Sequence, residues 1–514
     1  MIPNTAQHTS KLRLIQVRFC YFLDQRFVSM DSPRWKFIKS ALNDIDEQLK
    51  KLGSRLHVLS GQPSEQLPVI FEQWNIVRLG FSSHPGCNES RLRDRAIVSL
   101  ALRHGVEVVY REAPHCLYTP ADVLKQCNGQ VPLTFVSYCT TIKDMNPPTQ
   151  SVTVPDSEIM MNSISEDHDE IEKNVCLLEK EDKDFPYRGG ETEARARFSR
   201  AMEHWRESGA KQPDLRAITP YVIQGCLSSR EIYNGVEAQF AKMNQGQSPG
   251  LAFHVAQLHR DYLYCLGSIN ESDLTLDIAF DDNELGQKWK DGETGYPWVD
   301  ACVRQMKTDG WAPPLLRQSA LWFLTRGMLW QKPEIGVEFL SEHCLFDLAL
   351  ARGYVNWAAG VGAWIEDDVT AKCPKVPASY IRRWLPELNE LSDEEIEKPW
   401  LIKQLPQGYA KMCAPHKQSH KQSQAKYQLS LTTESNKFLT RLDQIGRKRK
   451  VFQPVRLEPN PWEIVQSSQY TNNITGLSHD ITQTPSFMQY VHKTQQNWNK
   501  MRAEQVTQWY PLWT

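Results

Sequence analysis

A chain of 514 residues is too long for one ordinary core and predicts two or three domains. Hydrophobic residues make up 40%, enough to fill those cores, while a formal net charge of −2 excludes an overall polycation; any nucleic-acid contact would need a local basic patch. Twelve cysteines without a CxxC pair argue for reduced thiols in an intracellular protein (nucleus, cytoplasm or an organelle) and against zinc, and no apolar run approaches a membrane span.

The first segment alternates strand and helix patterns. FCYFLDQRF (19–27) has strand character, and WKFIKSALNDIDEQLKKL (35–52) places apolar residues at helical spacing. RLHVLSG, VRLGF and VEVVY read as further strands; LPVIFEQW and ESRLRDRAIVSLALRHG read as helices. This order predicts an α/β domain over 1–148, Rossmann-like, with a parallel sheet between helices. Residues 149–188 form an acidic linker without strong periodicity. From 189 to 427 the chain is Trp-rich and helical in period, which predicts an all-α domain. ETEARARFSRAMEHWRE, TPYVIQGCLSSREIYNGVEAQFAK, FHVAQLHRDYLYCLG, VDACVRQMKTDG and LRQSALWFLTRGMLW each read as one helix. Residues 428–514 form a tail with the basic cluster RKRK (447–450) and late aromatics Trp498, Trp509, Tyr510 and Trp513.

Generic catalytic motifs are absent: no GxGxxG after a strand, no P-loop, no HExxH and no GxSxG. RGGE (188–191) reads as a tight turn entering a helix, and His259 as a hydrogen-bonded helix residue. Arg317 lies in an apolar helix, where a buried guanidinium needs an anionic partner. Asp347 is the natural candidate, although periodicity alone does not bring the two together.

Several stretches, in order, resemble one family. WKDGETGYPWVDACVRQMKTDGW (289–311), FLTRGMLW (323–330), YIRRWLPEL (380–388) and KPW (398–400) are similar to the helical flavin domain of photolyases and cryptochromes. The N-terminal run from Arg34 to Ile76, CLYTPADVLKQCNGQVPLTF and GGETEARARF resemble the same family's antenna-type α/β domain and link. The flavour is that of the animal cryptochrome and (6-4) photolyase branch. The resemblance implies FAD in the helical domain and one of three uses: light sensing, clock repression, or repair of a flipped-out pyrimidine lesion in DNA.

The departures fall on the site that the resemblance implies. Where the family has a Thr-Ser phosphate clamp, LRAITPY keeps a hydroxyl at Thr219 and puts Arg216 nearby. The family's Trp-Arg-Glu becomes His259-Arg260-Asp261, and the substrate-side histidines become Pro313 or Pro314 and Gln318, which shuttle no proton. Of two acids one residue apart, LFDLALARGYVNW keeps only Asp347; Leu345 replaces the usual partner of the arginine matching Arg317. The flavin-facing position is Ala351. The tryptophan electron chain falls on Val355, on Lys332 or Pro333, and on Phe280, with Trp357 remaining. The opening strand of the α/β domain is also missing, unless KLRLIQV or another segment supplies it, so no antenna chromophore is expected.

The expectation is therefore a non-catalytic, cryptochrome-like scaffold that binds proteins, with its flavin site degraded and FAD weakly held or absent. The residues left for an FAD pocket are Arg216, Thr219, Arg260, Arg317 and Asp347, with Asp347 read first as the partner of Arg317. The alternatives are an FAD-binding cryptochrome acting as receptor or repressor, and a DNA photolyase. Partners are expected at the aromatic tail, in balance with intramolecular packing of that tail; DNA is the less favoured partner.

Overall fold

The computed structural model describes residues 17–23, 32–148, 185–268, 280–359 and 376–429, with short gaps inside these ranges. Lys11–Gln16, most of the acidic linker, RKRK and the aromatic tail lie outside the described residues.

The first half is the expected α/β domain. Strand β1 (Phe19–Leu23) leads to α1 (Pro33–Lys51), then β2 (Leu56–Ser60), α2 (Pro63–Gln73), β3 (Arg78–Ser83), α3 (Asn88–Arg103) and β4 (Glu107–Glu112). Helix α1 starts where the sequence signals it. The Ser32 hydroxyl accepts from Trp35 N at 3.2 Å, Pro33 fills the first turn and Lys50 and Lys51 close the last. Its apolar side, Trp35, Ile38 and Leu42, packs on Leu23, Leu56 and Val58.

The sheet corrects the expectation of one continuous layer. Among the described residues β1 pairs only with β2, in parallel with Phe19 opposite Leu56, and β3 pairs only with β4, with Arg78 opposite Glu107. Phe22 nevertheless packs with both Leu59 and the cluster under β3, so one core spans the two pairs. Strand β1 covers Phe19–Leu23 of the stretch 19–27 read as strand, and residues 24–27 lie outside the described residues.

Two short helices, α4 (Pro120–Gln126) and α5 (Phe135–Lys143), lead out of the α/β domain. The helical domain opens with α6 (Glu191–Ser208), laid on α1 by the RGGE turn. A Cβ on Gly189 would stand 2.1 Å from Phe37 O, and Gly190 has φ +121°. Ser40 Oγ donates to Gly189 O at 3.1 Å and Thr192 N to Asp44 at 3.1 Å, so the motif is a close approach between domains. There follow α7 (Thr219–Ile223), α8 (Ser229–Met243), α9 (Val255–Gly267), α10 (Glu284–Asp291), α11 (Pro297–Asp309), α12 (Pro314–Trp322), α13 (Pro333–His343), α14 (Leu348–Ala359), α15 (Ala378–Trp384) and α16 (Asp393–Glu397).

Two helices expected to be continuous are broken. TPYVIQGCLSSREIYNGVEAQFAK divides at Gly225, φ +76°, and Ser228 caps the second part. LRQSALWFLTRGMLW runs as α12 to Trp322 and then widens into a π turn over Phe323–Gly327, with Thr325 at ψ −112°. At the centre, α9 crosses α14 at two glycines. A Cβ on Gly267 would lie 2.0 Å from Ala349 O, and one on Gly353 would lie 2.0 Å from Leu263 O. None of the described helices is long and apolar enough to cross a membrane.

Candidate functional site

The five candidate residues occupy three places. Arg216 sits in the 3-10 turn before α7, bonded through Nε and Nη2 to Asp214. Burial brings its guanidinium down to about 10 against the pull of Asp214. Thr219 begins α7 half-buried.

Arg260 lies inside, on α9. Its Nη2 donates to Ser229 Oγ at 2.7 Å and His115 O at 3.1 Å, and it stands 3.6 Å from Asp261. Asp261 accepts from Leu117 N at 2.8 Å and Tyr118 N at 3.2 Å. Burial pushes its carboxyl up to about 6, against the Arg260 charge and those two donors. Arg260 and Asp261 thus tie the chain entering α4 onto α9; each keeps one buried polar atom without a hydrogen bond, Nε and Oδ1.

Arg317 and Asp347 flank the start of α14, and the expected ion pair between them does not form. Asp347 caps the helix: its Oδ1 accepts from Leu350 N at 2.8 Å, its carbonyl from Ala351 N at 3.0 Å, and its Oδ2 from the Tyr264 hydroxyl. Burial lowers the guanidinium of Arg34 on α1, and the charge of Asp347 is the largest influence holding it up. Arg317 instead enters an aromatic box. Its guanidinium carbon lies 4.3 Å from the ring centre of Trp311, 4.7 Å from Phe346 and 4.9 Å from Tyr354. Nη1 donates to Ala312 O at 2.8 Å and Nη2 to Tyr354 OH at 3.1 Å, leaving Nε without a partner. Three ring faces and two oxygens replace the acid lost at Leu345, at roughly 2 kcal/mol for a desolvated cation–π contact.

No hydrogen bond or ion pair joins Thr219, Arg260 or Arg317 to another of the five. The flavin-facing position Ala351, the position of the missing acid Leu345 and the tryptophan-chain position Val355 are 0% exposed, Gln318 1% and Arg317 3%. Leu345, Ala351 and Val355 offer no polar side-chain group to a flavin ring. At the positions that the resemblance implies for the electron chain, Lys332 pairs with Asp282 at 2.7 Å, and Phe280 lies tilted with its ring centre 4.8 Å from that of Trp330. Trp357 meets the edge of His259 at 5.6 Å. No group of His, Cys, Asp or Glu among the described residues could hold a metal ion.

Sequence reasoning missed Arg34, Tyr264 and the aromatic box. Nothing in the spacing marks Trp311 as caging with Phe346 and Tyr354, because it lies in a different segment from those two.

Residues 251–429 match the family described as FAD binding domain of DNA photolyase, and residues 4–155 match DNA photolyase. The chain is 32% identical over 432 residues to Cryptochrome-1 of Macaca fascicularis, covering 75% of this chain and 71% of the relative. It is 31% identical over 427 residues to Cryptochrome-2 of Gallus gallus, covering 75% and 72%. In fold it is similar to a Synechocystis cryptochrome (TM-score 0.60, 21% identity, 80% of this chain and 93% of that one). It is similar also to a class III photolyase of Agrobacterium tumefaciens (TM-score 0.62, 19% identity, 81% and 92%).

Proposed function

Since the chain belongs to the photolyase and cryptochrome family, we propose that it is a cryptochrome-like scaffold that binds proteins and carries out no flavin photochemistry. One observation carries this reading: the flavin-facing position Ala351, together with Leu345 and Val355 where the resemblance implies an acid and a tryptophan, is fully buried and apolar. The replacement of an acid by an aromatic box around Arg317 supports it, since the box holds the guanidinium without any cofactor. Pro313, Pro314 and Gln318 offer no proton shuttle on the substrate side, which counts against lesion repair.

The second reading, an FAD-binding cryptochrome serving as blue-light receptor or repressor, is favoured by the match of residues 251–429 to the FAD-binding family. Absorption of the purified chain between about 350 and 500 nm, followed by cofactor extraction, separates the two. The scaffold reading expects no flavin band, before or after incubation with excess FAD. A stoichiometric flavin would favour the receptor and would require the α14 face to open.

A further inference from the structure

Trp330 is buried and sits in the left-handed region at φ +54°, a strained angle for a bulky residue. It stands just after the π turn Phe323–Gly327, and its N–H donates back to Thr325 O at 2.8 Å. Its carbonyl accepts from Asp281 N at 2.8 Å. The same turn reaches the end of α14, where Ala358 O accepts from Arg326 Nε at 3.1 Å. A non-glycine residue persists at such an angle only where its surroundings impose it.

A segment near the end of the described chain supplies part of that constraint. Residues 418–423 form helical turns, which Ala425 and Lys426 continue. His420 Nδ1 donates to Gly327 O at 3.0 Å, and Ser423 Oγ donates to Met328 O at 3.0 Å. These carbonyls lie at the end of the widened turn, where the last acceptors of a helix find no partner within it. Lys426 Nζ bonds Asp281 at 2.8 Å and lies 5.8 Å from the ring centre of Trp330. His420, Ser423 and Lys426 recur every three residues, so one helical face grips both the turn and the partner of Trp330.

The grip is polar and shallow. Residues 416–426 read HKQSHKQSQAK, in which Ala425 is the one apolar residue. Gln418, Lys421, Gln422, Ala425 and Lys426 are exposed, while Ser423 is buried and His420 lies with its ring centre 5.8 Å from that of Trp322. Both side chains of the Lys426–Asp281 pair are 44% exposed, where an ion pair holds weakly. A segment that buries so little apolar surface opens more readily than the core it covers.

We propose that residues 418–426 are a releasable strap: seated, it fixes the turn over 323–331 and, through Arg326, the end of α14; lifted, it lets that turn relax. The inference goes beyond the scaffold reading and holds with or without a flavin. Residues 430–514 continue from the strap, so a partner that loads them acts on it first.

Hydrogen–deuterium exchange of the full chain, read by mass spectrometry, tests this. In the parent chain, residues 418–426 and 323–331 should open in one shared step at urea concentrations well below global unfolding, with α9 still protected. His420→Ala/Ser423→Ala should speed exchange in both segments at least about tenfold and leave α9 unchanged. Lys421→Ala, at an exposed position between the gripping residues, should change neither segment. Faster exchange at 418–426 alone, or no change in either segment, would overturn the proposal, because the strap would then not hold the turn. So would a turn that opens in the parent chain only on global unfolding, a result that decides the matter even where the double variant fails to fold.

Discussion

Arg317 meets rings and oxygens where the family resemblance implies an acidic partner. A guanidinium spreads its charge over a plane that Trp311, Phe346 and Tyr354 face together, whereas an ammonium is a compact, strongly hydrated charge. Arg317→Met should therefore cost only about 1–3 kcal/mol, and Arg317→Lys should cost at least as much. In a urea double-mutant cycle, Arg317→Met with Asp347→Asn should couple by less than about 0.5 kcal/mol; a larger coupling would restore the ion pair. Asp261 gives a pH test with a fixed sign. Its carboxyl is raised to about 6 in the fold from an ordinary 3.8, so the folded state binds the extra proton between those values. That contribution is full below about 4 and is lost as pH rises through about 6. Asp261→Asn should thus lose less stability than the parent chain between about pH 4 and 6; a parallel fall in both would refute the assignment.

At the scale of elements, the crossing of α9 and α14 decides whether the helical domain closes. Gly267 and Gly353 let two backbones meet where any Cβ would strike a carbonyl. Gly353→Ala should cost about 3 kcal/mol or more, or abolish folding, because backbone rather than a flexible side chain must yield. Gly80→Ala in β3, where the nearest atom is 3.9 Å away, should change the denaturation midpoint little by comparison. Most elements were legible in advance. Alternating apolar runs marked β1 to β4, and capping residues such as Ser32 marked where helices begin. The π turn after Trp322 was not legible, since its residues continue the helical pattern and the break lies in the backbone at Thr325. The RGGE turn read correctly as a turn entering a helix, but its closeness to Phe37 depends on a segment some 150 residues away.

Across the whole molecule, family and fold class were readable from ordered motifs such as WKDGETGYPW. Just after that motif, Asp300 accepts from Thr294 N at 2.8 Å and Gly295 N at 3.0 Å and receives the Tyr409 hydroxyl at 2.9 Å, a local lock built mostly from neighbours in sequence. The sequence by itself determined the α/β-then-α order and the residue types at the positions that the family resemblance singles out, Leu345 and Gln318 among them. Those are properties of residue type and local period, which need no distant contact to be read. Tertiary structure alone decided where the charges went. Asp347 accepts from the Tyr264 hydroxyl, Arg317 enters a cage of Trp311 from one segment and Phe346 and Tyr354 from another, and Ala351 is fully buried. Each of these depends on which of several available partners lies within a few ångströms after packing. Short-range Coulomb and dispersion energies distinguish such partners steeply, and a linear sequence carries no distances between them.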